Sequence, residues 1–220
     1  MASEEVMHAQ DAGARTLPAG VSAWSGGAAP YAIVSKKLGM WLFIISDAIT
    51  FASLLFAYTY VRVASTQWPT PFRAWPSIAN ATLMTVVLLS SSLTMVMAVR
   101  SARIGSRPHA VRWLFATMAG GIAFIVLHAR EWLGLIDEGV RLFKNPWGTP
   151  LFGAAFFSLT GLHMTHVGIG VIYLGVIGVG QAMGKFKAED VEISGLYWHF
   201  VDLVWMFIFP LVYLMSARLG

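Results

Sequence analysis

Five long apolar segments constrain the fold of this chain more than any other feature. A helix that crosses the hydrocarbon core of a bilayer needs about 20 mostly apolar residues. Five stretches meet this requirement: residues 38–61, 77–99, 111–135, 151–183 and 193–215. Hydrocarbon offers no hydrogen-bond partner to irregular backbone or to an open sheet edge, so these segments must be helical. The sequence therefore predicts an all-α integral membrane bundle of five transmembrane helices.

The composition agrees with a membrane setting and excludes several function classes. The chain is 57% hydrophobic and only 12% charged, whereas soluble proteins carry about 25% charged residues. A net charge of +4, spread along the chain, does not form a nucleic-acid-binding surface, so we expect no nucleic-acid partner. The absence of cysteine excludes disulfides, thiolate metal ligands and covalently attached c-type haem.

The first 35 residues differ from the rest of the chain. They are rich in Gly, Ala, Ser and Pro, and Glu4, Glu5 and Asp11 lie where a signal peptide carries positive charge. We predict a polar N-terminal tail over residues 1–35, followed by a single five-helix membrane domain over residues 36–220. Neither an internal repeat nor a long linker divides that domain.

The distribution of Lys and Arg predicts the orientation. Basic residues are more numerous in the tail and in the connections on the N-terminal side: Arg15, Lys36, Lys37, Arg100, Arg103, Arg107, Arg112, Lys185 and Lys187. The other side has fewer: Arg62, Arg73, Arg141, Lys144 and Arg218. The positive-inside rule then places the N-terminus in the cytoplasm and the C-terminus outside. Trp68, Trp75, Trp132 and Trp147 fall near the predicted outer face, either as an interfacial belt or as a contact with a partner subunit.

Several ionisable residues lie inside the apolar segments. Asp47 follows Lys37 by ten residues, which places it about 15 Å deep in a bilayer core about 30 Å thick. Three pairs are each spaced three residues apart and so share a helix face: His128 and Glu131, His163 and His166, His199 and Asp202. Asp202 lies about as deep as Asp47, so the two carboxylates would share a polar pocket if the first and last helices touched. Each such group costs about 2.5–3.5 kcal/mol on insertion.

Three interpretations of these residues remain open from the sequence. A metal or haem centre would use the histidines, although no segment has the Glu-x-x-His order of di-metal bundles. A proton path would use buried carboxylates and histidines. The third interpretation is structural: interhelical hydrogen bonds, worth about 0.6 kcal/mol each on average, and lipid head-group contacts. Arg130 suits either a position at the interface or a lipid phosphate.

Four runs of residues resemble the cytochrome c oxidase subunit III family. They are KLGMWLFIISDAITFASLLFAY, HAREW with NPWGTPLF, TGLHMTHVGIG, and GLYWHFVDLVWMFIFPLVYL. They occur in the family's order and cover the chain from about Leu38 to the C-terminus. Two features differ from many members: Asp47 stands where the family usually has glutamate, and five helices replace seven, as in the shorter bacterial forms.

The resemblance implies a function. A subunit III carries neither haem nor copper, binds phospholipid, and packs on the catalytic subunit I of a haem-copper oxidase that also contains subunit II. It implies no metal and no catalytic residue in this chain, and a place in the bacterial inner membrane. Asp47 matches the buried carboxylate that supports proton uptake. The remaining matches imply lipid or interhelical polar contacts: His128, Arg130, Glu131, His163, His166, His199, Asp202 and Trp205.

Two other functions compete with this one. The chain would be a membrane haem or metal protein in its own right if its histidines held a redox centre. It would be an accessory subunit of nitric oxide reductase if its partner reduced nitric oxide rather than oxygen.

Overall fold

The computed structural model describes residues 35–218. Within them lie five α-helices, each long and apolar enough to cross a membrane: α1 Ser35–Ala64, α2 Ala79–Arg103, α3 Arg107–Asp137, α4 Pro150–Ala182 and α5 Ala188–Ile208. The predicted all-α bundle of five membrane helices is confirmed. This is the architecture of a multi-pass membrane protein. The tail predicted for residues 1–35 lies outside the described residues except for Ser35, which begins α1.

The chain divides into two units, Met1–Leu42 and Phe43–Gly220. In the first unit the structure describes only the initial turns of α1. All contacts described below lie in the second unit. The expectation of a single domain over residues 36–220 stays a prediction.

The helices extend further than the apolar segments do. α2 continues to Arg103, past the predicted end at residue 99, and α5 starts at Ala188 instead of residue 193. Charged residues therefore belong to the helix ends, where their heads can reach water while the backbone remains helical. At the start of α5, the Asp190 carboxylate accepts a 2.9 Å hydrogen bond from the Lys187 backbone N–H.

Four helices form the core of the second unit. α2 packs against α3 and α5, and α4 packs against the same two helices. α5 is the most deeply buried of the five membrane helices within residues 35–218, and α1 is the least buried. From Phe43 onward, α1 meets the other helices mainly through large side chains. Phe51, which is 2% exposed, contacts the rings of His163, His166 and Phe200.

The end of α5 departs from the single helix predicted over residues 193–215. The α-helix stops at Ile208, a wide π-turn follows over Phe209–Tyr213, and a 3₁₀ turn follows over Leu214–Ser216. Pro210 explains the change, because proline lacks the N–H that the α-helical pattern needs. The chain then runs into a short strand, β2 (Ala217–Arg218), which pairs in parallel with β1 (Phe72–Arg73).

Ser216 connects this C-terminal segment to the end of α1 and to the connection that follows it. Its buried hydroxyl lies 3.0 Å from the Tyr58 hydroxyl, 3.4 Å from an Arg62 nitrogen and 3.3 Å from the Trp68 indole nitrogen. Arg62 also donates to the carbonyl of Met215. We call this set of contacts the C-terminal clasp.

Candidate functional site

Asp47 on α1 contacts His166 on α4. The carboxylate Oδ2 lies 3.2 Å from the ring Nε2, and both side chains are nearly buried. The other ring nitrogen, Nδ1, donates to the Leu162 carbonyl at 2.8 Å. The contact brings a carboxylate and an imidazole together at the predicted membrane depth, where an isolated ionisable side chain is costly.

His128 on α3 and His163 on α4 flank Trp205 of α5. Both histidines and Trp205 are completely buried. The His163 ring stacks on Trp205 with centroids 5.3 Å apart, and the His128 ring lies 5.6 Å from the same indole. Phe124 meets all three rings edge to face, at 4.8–5.7 Å. Complete burial leaves these two histidines no lipid contact. Within the described residues their ring nitrogens have no hydrogen-bond partner, so they meet the neighbouring helices through ring packing and not through the predicted polar contacts.

Two tryptophans of α5 bind hydroxyl groups of α2. The Trp205 indole N–H donates to the Thr85 hydroxyl at 2.9 Å, and the Trp198 N–H donates to the Ser91 hydroxyl at 3.1 Å. Buried tryptophan normally needs such a partner for its N–H. These two bonds set the position of α5 along α2.

Glu131 occupies the side of α3 that faces α2. One carboxylate oxygen accepts a 3.5 Å hydrogen bond from the Asn80 amide, and the Tyr213 hydroxyl lies near the carboxylate. Asn80, Arg130 and Glu131 line a shared cavity of about 410 Å³. The Arg130 side chain is exposed at its rim, as expected for a residue that reaches the interface.

His199 and Asp202 approach α2, not α1. The His199 Nδ1 lies 2.6 Å from the Ser92 hydroxyl, and Asp202 lies near the same hydroxyl. Asp47 is paired instead with His166. The structure thus places the two carboxylates with different partners, contrary to the shared pocket that their equal depth suggested.

The predicted residues therefore form four contacts and not one centre. Asp47 joins His166, His128 and His163 surround Trp205, Glu131 meets Asn80, and His199 with Asp202 meets Ser92. Among residues 35–218, no group of three or more His, Asp or Glu side chains is arranged to hold a metal ion.

Sequence reasoning missed the partners of these residues. They are ordinary polar or aromatic side chains within apolar runs: Asn80, Thr85, Ser91, Ser92, Trp198 and Tyr213. Their spacing to the ionisable residues carries no signal, since each contact joins different helices. Of these partners, only Trp198 and Tyr213 lie in a family motif, the GLYWHFVDLVWMFIFPLVYL run.

Comparison with known proteins gives consistent matches. The model of a family described as cytochrome c oxidase subunit III matches residues 21–217. Cytochrome c oxidase subunit 3 of Alkalihalophilus pseudofirmus is 31% identical over 186 residues, which cover 83% of this chain and 88% of the relative. Quinol oxidase subunit 3 of Bacillus spizizenii is 33% identical over 184 residues, covering 81% and 86%. Cytochrome bo(3) ubiquinol oxidase subunit 3 of Pseudomonas aeruginosa is 32% identical over 182 residues, covering 81% and 84%. With the family's motifs placed on five membrane helices, the chain belongs to the cytochrome c oxidase subunit III family.

Proposed function

We propose that the chain is the non-catalytic subunit III of a haem-copper terminal oxidase in the bacterial inner membrane. The observation that carries the proposal is the family match over residues 21–217. The relatives named above are subunits of cytochrome c oxidases and of quinol oxidases, so the proposal concerns the oxidase class and not the electron donor. The positive-inside count supports a cytoplasmic N-terminus and an outer C-terminus.

In this role the chain stabilises the catalytic subunit I and works beside subunit II. Haem and copper reside in those partners, where oxygen is reduced and protons are pumped. The chain itself supplies a membrane scaffold, phospholipid contacts and an Asp47–His166 contact that supports proton uptake. The fully buried rings of His128, His163 and Trp205 support a packing role for this aromatic centre.

Gentle purification tests the proposal. The tagged chain is extracted from its native membrane in mild detergent, its partners are identified by mass spectrometry, and a reduced-minus-oxidised spectrum is recorded. We expect a much larger haem-copper subunit and a second oxidase subunit to copurify with the chain. The purified complex should show a haem spectrum and should consume oxygen. Recovery of the chain alone would contradict the proposal.

The same preparation separates the competing functions. After dissociation from its partners, the chain should be colourless and free of bound metal. A haem spectrum that stays with the isolated chain would identify a redox protein in its own right. Copurification with a subunit that reduces nitric oxide, but not oxygen, would identify an accessory subunit of nitric oxide reductase.

A further inference from the structure

Two arginines that are far apart in the sequence meet at one end of the bundle. Arg73 in β1 and Arg218 in β2 are direct partners in the parallel pairing. Both side chains are exposed and, together with Trp75, line an open cavity of about 490 Å³. Like charges directly opposite each other in a sheet oppose the pairing. An anion bound by both guanidinium groups would relieve this repulsion.

No carboxylate of the described residues 35–218 supplies that compensation. The ion pairs of Arg103 with Glu192 and of His166 with Asp47 include neither of these arginines. An anion that pairs with both arginines would therefore come from outside the described part of the chain.

The location of the site identifies the kind of anion. The connection between α1 and α2 carries Arg73, and the segment after α5 carries Arg218, so both lie where helices leave the membrane. Trp75 lies beside them and is 79% exposed. Tryptophan prefers the level of the lipid head groups, and a guanidinium fork matches the geometry of a phosphate group.

We propose that Arg73, Arg218 and Trp75 form a binding site for the head group of an anionic phospholipid. The two guanidinium groups hold the phosphate, and the indole lies at the level of the head groups beside it. This deepens the lipid-binding part of the proposed function and rests on the membrane setting, not on the identity of the partner subunits.

Lipid titration of the delipidated complex tests the site. Micelles containing phosphatidylglycerol are added to the wild type, to an Arg73→Gln/Arg218→Gln variant and to an Arg141→Gln/Lys144→Gln control. The control removes two exposed basic residues from the α3–α4 connection, at the same membrane face. Bound lipid and retained subunits are counted together by native mass spectrometry.

We expect the wild type and the control to bind phosphatidylglycerol alike. One basic residue near an anionic lipid surface contributes roughly a fivefold gain in binding, so the double variant should bind this lipid roughly 30-fold more weakly. Phosphatidylcholine should bind the wild type more weakly than phosphatidylglycerol, and inorganic phosphate at equal concentration should not displace the lipid. An Arg73→Lys/Arg218→Lys variant keeps the charge if the glutamine variant fails to fold, and it should bind with intermediate affinity because it loses the planar fork.

Three outcomes would overturn the inference. Equal affinity of all variants for phosphatidylglycerol would show that these arginines form no lipid site. Displacement by inorganic phosphate would make it a site for a free anion. Loss of a partner subunit with unchanged lipid binding would assign the arginines to a protein interface. Because subunit retention is read in the same spectrum, failure of the lipid site is distinguishable from failure of the proposed oxidase role.

Discussion

Asp47 of α1 and His166 of α4 lie in contact within the membrane-spanning helices of the described chain. Asp47 is predicted to lie near the middle of the bilayer. A carboxylate beside an imidazole at that depth is suited to a proton path. This separates it from His128 and His163, whose rings are enclosed by aromatic side chains.

Replacement of Asp47 by asparagine tests its support of proton uptake. Asparagine keeps a polar contact with His166 but cannot exchange a proton, so turnover or proton pumping of the assembled oxidase should fall. Stability should change by no more than about 1.7 kcal/mol, the upper end for hydrogen bonds between membrane helices. Asp47→Glu, which restores the carboxylate, is the control and should keep turnover. Unchanged turnover and pumping in fully assembled Asp47→Asn enzyme would leave Asp47 only a structural role.

At the scale of the helices, Trp198 shows how closely α3 and α4 approach α5. A Cβ atom added at Gly121 of α3 would lie 2.5 Å from the Trp198 ring, and one at Gly170 of α4 would lie 3.0 Å from it. The indole is 1% exposed and is held by its bond to Ser91, so it cannot move aside easily. Glycine at these two positions lets both helices touch the same aromatic ring, a use of small residues common in membrane bundles.

Substitution of Gly121 by alanine should therefore destabilise the bundle. The added methyl group overpacks the contact with Trp198, and we expect a loss of about 1–3 kcal/mol in unfolding free energy. Gly134→Ala on the same helix is the matched control, since a Cβ there meets nothing within 4 Å. Unfolding in mixed micelles, followed by tryptophan fluorescence, compares the two. Equal stabilities would show that the helices shift to accommodate the methyl group at no cost.

At the scale of the whole described unit, the C-terminal clasp links distant parts of the chain. Ser216, after α5, receives contacts from Tyr58 and Arg62 at the end of α1 and from Trp68 in the following connection. The β1–β2 pairing lies next to it and brings Arg73 beside Arg218. The clasp therefore also positions the proposed lipid site.

Loss of the Ser216 hydroxyl should loosen this end of the molecule. Ser216→Ala removes the partner of the Trp68 indole N–H and one of the two partners of the Tyr58 hydroxyl, at a cost of about 1–3 kcal/mol. Hydrogen exchange of the backbone over residues 209–218 should then become about 5- to 150-fold faster. Ser65→Ala is the control, because its hydroxyl bonds only to the nearby Val61 carbonyl. Equal exchange in the two variants would mean that the strand pairing alone holds the segment.

The sequence by itself determined the membrane setting and the five spans, and it predicted the depth of the ionisable residues. Each of these depends on the length of a local apolar segment, because a segment long enough to cross the bilayer must be helical there. The family's short runs likewise marked Asp47, His166 and Trp205 before any contact was known.

Only the tertiary structure decided which of these residues meet. Asp47 and Asp202 are predicted to lie at equal depth, yet the packing of the helices places Asp47 beside His166 and Asp202 near Ser92. Arg73 and Arg218 come together because Pro210 ends α5 and the clasp returns the chain to β1. The depth of a residue depends on its own helix alone, and a single sequence is enough to predict it. A contact depends on how two helices are rotated and spaced relative to each other, which a single sequence does not specify.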